Sequence, residues 1–87
     1  MNKLQYYTTV TRESYIGKRY FKVDWKNDEV VQVVLNGGDY KKGKGNQVGI
    51  YVVSRVTFIG NYLGRFVEPC TKAEYIKGFK KVVEYLV

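Results

Sequence analysis

Cations and rings alternate between residues 18 and 25. Lys18, Arg19 and Lys22 are interleaved with Tyr20 and Phe21, and Trp25 closes the run. A second group, Tyr40 beside Lys41, Lys42 and Lys44, lies in a glycine-rich stretch. Lysine and arginine neutralise phosphates while aromatic faces stack on unpaired bases, so this mixture is what a single-strand-binding surface requires. Charge without stacking gives affinity for either form of DNA that is blind to sequence and falls with salt. The same residues have a plainer use, with rings filling a thin sheet core and lysines solubilising its outside.

Other chemistry is narrowed by residue type. Histidine is absent, which removes imidazole acid–base catalysis, the Ser-His-Asp and Cys-His arrangements and imidazole metal ligation. A single cysteine, Cys70, excludes an intramolecular disulfide and suits a reducing compartment. A thiol just ahead of a helix can have a lowered pKa. Next to Pro69, at the hinge into a packed helix, Cys70 reads instead as a small half-buried side chain. Asp24, Asp28 and Glu29 gather where a turn is expected, and turns collect such residues without binding a cation. No distant pair of carboxylates has the arrangement of glycoside chemistry.

Residues 38–44 spell G-x-x-x-x-G-K, but Gly45 stands where the magnesium-holding hydroxyl belongs, and no helix start follows to hold phosphate. What remains is a run of flexible amides with Lys41, Lys42 and Lys44, able to grip a phosphate. No cofactor site and no general base is evident, so the expected protein is not an enzyme.

The elements that must position these side chains follow from periodicity. Residues 4–11 and 18–25 alternate as strands; in the second, Arg19, Phe21, Val23 and Trp25 share one face, opposite Lys18, Tyr20, Lys22 and Asp24. Lys26-Asn27-Asp28 is turn chemistry, and the β-branched run 29–35 completes an antiparallel hairpin. Residues 36–47 form a loop. Residues 48–59 read as the longest strand, with Ser54 marking a bend or bulge, and residues 63–68 as a short fifth strand. Thr71 and Glu74 have the spacing of a capping box, opening a helix over about 72–86. At ~100° per residue, Tyr75, Ile76, Phe79, Val82, Val83, Leu86 and Val87 form one apolar stripe. Gly78 lies at its edge, as a close approach of helix to sheet would require. The predicted fold is α+β: a strongly curved antiparallel sheet or open SH3-like barrel of about five strands, capped by one C-terminal helix.

At 87 residues, with 45% hydrophobic side chains, the chain is long enough for one compact domain. Fifteen Lys and Arg against eight Asp and Glu leave +7, which favours anionic partners without choosing among them. No apolar run approaches a membrane span, so a cytoplasmic protein is expected.

The stretch Gly64-Arg65-Phe66-Val67 ahead of Ala73, with strands before it and a helix after, resembles the small archaeal chromatin proteins with SH3-like barrels. The resemblance rests on Gly64, Arg65, Val67 and Ala73, within the last third of the chain. It implies binding to duplex DNA by a three-stranded face with an apolar wedge. Trp25 has no counterpart among the groove-facing residues of that family.

Two functions are therefore expected. One is a non-catalytic nucleic-acid-binding domain using Lys18, Arg19, Lys22, Lys41, Lys42 and Lys44 on phosphates, with Tyr20, Tyr40 and Trp25 stacking. The other is a viral or mobile-element protein that grips an acidic surface of a larger host protein, with tyrosines as anchors. An apolar strand over 48–59 would also suit a homodimer formed through the sheet.

Overall fold

The computed structural model describes residues 4–10, 16–36 and 47–87. Tyr40, Lys41, Lys42 and Lys44, and with them the G-x-x-x-x-G-K stretch, lie outside those residues. Five strands, β1 (Leu4–Thr9), β2 (Lys18–Asp24), β3 (Glu29–Asn36), β4 (Gly49–Val53) and β5 (Val67–Cys70), form one antiparallel sheet. Their order is β4-β3-β2-β1-β5, so the sheet is open, with β4 and β5 as its edges. Helix α1 (Arg55–Asn61) follows β4, and helix α2 (Lys72–Leu86) ends the chain. This is the expected small α+β domain, compatible with an open SH3-like arrangement.

The β2–β3 hairpin is closed by side-chain chemistry at its turn. An Asp24 carboxylate oxygen accepts from the backbone N–H of Lys26 and Asn27 at 3.1 and 3.0 Å, while the Asn27 amide donates to the other oxygen at 2.9 Å. Those bonds, the Asn27 side chain first, hold the Asp24 carboxyl below the usual carboxylate range. Asp28 takes the left-handed conformation, φ 61°, which Asp tolerates better than most residues. Its carboxylate meets the Arg55 guanidinium at 2.8 Å.

Pleating sends alternate residues to opposite faces, and each face is covered by a different helix. On one face Tyr7, Phe21, Val23, Val30 and Val67 surround Phe58 of α1, with Trp25, Val53, Tyr62 and Leu63 packed at the margin. Phe58 is fully buried, its ring centroid 5.1 Å from Phe21 and 5.3 Å from Tyr7. On the other face Val33, Tyr75 and Val82 form a second cluster with Tyr6, Tyr20, Leu35, Val48 and Phe79 around it.

The expectation of one strand over 48–59 is corrected. The strand stops at Val53, and Ser54 caps α1, its hydroxyl accepting from the Thr57 N–H at 3.0 Å. Val56, Thr57, Ile59 and Gly60 oppose a helix by about 2–3 kcal/mol relative to alanine. Burying Phe58 and forming the cap together contribute about 3–4 kcal/mol, so tertiary packing overrides the β-branched signal.

The fifth strand also differs. Gly64 turns the chain at φ 81°, and β5 begins only at Val67 and runs through Pro69. A proline fits there because β5 is an edge, where a missing N–H need cost no ladder bond.

Helix α2 starts as its sequence dictates. The Thr71 hydroxyl accepts from the Glu74 N–H at 3.1 Å, and a Glu74 carboxylate oxygen accepts from the Thr71 N–H at 2.9 Å. These bonds hold the Glu74 carboxyl below its usual range, the Thr71 N–H first. Successive turns of α2 step across the strands: Tyr75 rests on Tyr6 of β1 with centroids 5.3 Å apart, Gly78 on Tyr20 of β2, and Val82 on Val33 of β3. A methyl group at Gly78 would stand 2.5 Å from a Tyr20 ring carbon. The glycine is what lets the helix descend onto the sheet.

Candidate binding groove

Helix α2 covers only part of its face of the sheet. It lies over Tyr6 on β1 and over the Tyr20–Val33 pair on β2 and β3. One step further along the strands is a second row, Tyr6–Lys22–Val31–Val52, continuous through the register of β1, β2, β3 and β4. Two residues of strand advance about 7 Å, so Lys22, Val31 and Val52 emerge beside the helix, while Tyr6 lies against Tyr75. An open groove of about 530 Å³ follows, with Tyr6 and Lys22 in its floor and Tyr75, Ile76, Phe79 and Val83 in its helical wall. Lys72, Lys80 and Glu84 form its upper rim. Ile76 and Val83 are each 38% exposed and Val52 is 84% exposed. Single exposed apolar residues need no explanation, but a contiguous patch rimmed by charge marks an interaction surface.

The stripe on α2 accounts for the groove. At ~100° per residue the seven apolar side chains named above span about 140° of helix surface. The sheet buries Tyr75, Gly78 and Val82, and the flank carrying Ile76 and Val83 is left facing the groove. Tyr75 is the pivot between the two: burial, and next to it Tyr6, push its hydroxyl up to about 12. It stays neutral at physiological pH.

Of the described residues expected to contact nucleic acid, Lys18, Tyr20 and Lys22 share the α2 face of β2, and Arg19 and Trp25 lie on the opposite face. Arg19 is 3% exposed on the α1 face. Its Nε donates to the Ile16 carbonyl at 2.5 Å, and an Nη donates to the Gln32 side-chain oxygen at 2.6 Å and the Tyr62 hydroxyl at 3.5 Å. The Arg19 guanidinium is thus engaged inside the protein, which weighs against the phosphate contact expected of it. Trp25 lies half-buried on the same face, its indole N–H donating to the Gln5 side-chain oxygen at 2.8 Å and its ring 6.4 Å from Phe58. Tyr20 packs on the opposite face beneath Gly78. Lys18 is exposed, 4.8 Å above the Tyr20 ring, and donates to the Thr8 hydroxyl at 3.1 Å. Lys22 is half-buried in the groove floor.

Cys70 has no sign of activation. Burial, together with the Glu74 and Glu68 carboxylates, pushes its thiol up to about 11 against the opposing pull of Lys18. Among the described residues no three His, Cys, Asp or Glu side chains converge as metal ligands would. No described helix is long and apolar enough to cross a membrane.

Sequence reasoning missed Lys72, Tyr75, Ile76, Phe79, Lys80 and Val83 as site residues. The available signal was the width of the α2 stripe, which exceeds what one packed face needs. Comparison of the chain with protein-family models, with curated proteins and with solved structures finds no match.

Proposed function

We propose that the protein is a small non-catalytic binding domain that occupies an acidic surface of a larger protein, as an inhibitor or adaptor does, through the groove beside α2. The observation that carries this reading is an apolar groove wall exposing Ile76 and Val83, with Lys22 in its floor and Lys72 and Lys80 on its rim. An apolar centre with a polar margin is the anatomy of a protein interface. The packed positions of Tyr20 and Trp25 and the buried Arg19 weigh against base stacking. Such a domain suits a viral or mobile-element protein that blocks a host enzyme or defence complex in the cytoplasm.

Affinity capture after nuclease treatment tests this, with the Ile76→Lys/Val83→Lys variant alongside. One dominant protein retained by the native chain and lost from the variant is the expected result. Equal capture by both would remove the groove as the contact.

A second reading, a nucleic-acid-binding domain, is favoured by a separate observation: Lys72, Lys77, Lys80 and Lys81 are all exposed on α2 in a chain of +7. Fluorescence anisotropy with labelled DNA and RNA at ~50 and ~200 mM salt separates the two, since phosphate-driven affinity falls by orders of magnitude over that range. No binding at the lower salt would end this second reading.

A further inference from the structure

Resting on that reading of the groove, the geometry points to one occupant: an amphipathic helix of the partner, laid alongside α2, with carboxylates on the flank that faces α2. The first argument is space. The eight residues of β3 extend about 26 Å, and a packed helix takes about 10 Å of that length. A second helix axis 8–10 Å from α2, the ordinary packing distance, falls just beyond the row Lys22–Val31–Val52. Its apolar stripe would then rest on Val31 and Val52 and against Ile76 and Val83.

The second argument is hydrogen bonding. The groove floor is the face of a sheet, which presents side chains and no free backbone groups. An extended segment lying there would leave its own N–H and C=O groups unmet, whereas a helix satisfies them internally. An extended partner belongs at the β4 edge, not in this groove.

The third argument is charge. Lys22, Lys72 and Lys80 meet the occupant on the α2 side, with Glu84 as the only carboxylate among the described residues that line the groove. Glu29, exposed in the last row of the sheet opposite Asp24, lies on its other flank. Carboxylates are therefore favoured on the first flank and disfavoured on the second. To match α2 the occupant needs about 15 residues, or about four turns.

The test is selection of a phage-displayed library of random peptides of about that length on the immobilised full chain. Parallel selections use Ile76→Lys/Val83→Lys and the charge-reversed Lys72→Glu/Lys80→Glu, whose two lysines are exposed and whose folding circular dichroism checks. The expected peptides carry apolar residues at helical spacing with Asp or Glu on one flank. Enrichment should fall at least tenfold on the apolar variant, and the acidic preference should disappear on the charge-reversed one. Peptides with strict two-residue alternation, still lost on the apolar variant, would overturn the helical occupant and leave the groove standing. Enrichment that the apolar variant does not change, or no enrichment at all, would remove the groove and the helix together.

Discussion

Lys18 and Arg19 are adjacent cations with opposite fates, and the pleat of β2 is the reason: successive side chains point to opposite faces. Lys18 projects beside α2 into solvent, whereas Arg19 enters the α1 face and meets the buried Gln32 side chain. The alternation already placed Arg19 with Phe21, Val23 and Trp25, so the signal for its burial was present and its charge concealed it. Tyr75 carries a consequence for pH. Its hydroxyl is raised from 10.0 to about 12 by burial. A group with a raised folded pKa contributes stability that is complete below the unfolded value and is lost as pH rises toward the folded one. Urea denaturation from pH 9 to 12 should therefore show stability falling above about 10 in the native chain, and falling less in Tyr75→Phe. An identical alkaline decline in both would mean that Tyr75 is not held neutral by the core.

At the scale of elements, α2 was legible and α1 was not. The capping box and the apolar stripe are local features, and the helix they predicted over about 72–86 is the one observed. Residues 54–61 carry the β-branched bias of a strand, and what makes them helical is the place of Phe58 among Phe21, Tyr7 and Trp25, which no local pattern reveals. The glycines of the two helices separate propensity from packing. Gly60→Ala on α1 meets nothing within 4 Å and is expected to raise stability by up to ~1 kcal/mol. Gly78→Ala gains the same propensity but drives a methyl group into the Tyr20 ring, an overpacking that costs about 1–3 kcal/mol. Chemical denaturation should order the two variants with Gly60→Ala the more stable. The reverse order would mean that α2 stands off the sheet.

For the whole molecule, the two open edges differ in protection. β5 carries Glu68 and Pro69, devices that discourage strand pairing, whereas Gly49–Val53 has neither charge nor proline. At low ionic strength mutual repulsion of +7 copies opposes pairing at the β4 edge, and salt screens it. Static light scattering should rise with salt for the native chain and much less for Tyr51→Lys, a β4 residue on the α1 face and outside the groove; no difference would acquit the β4 edge. The sequence by itself determined an antiparallel sheet of about five strands, the β2–β3 turn and a C-terminal helix, because alternation, turn residues and caps act over a few residues. Only the tertiary structure decided that residues 55–61 fold back as a helix, that Arg19 is enclosed, and that α2 leaves Ile76 and Val83 exposed beside the sheet. Burial depends on which distant element covers which face, and that is a property of the assembled sheet and helices.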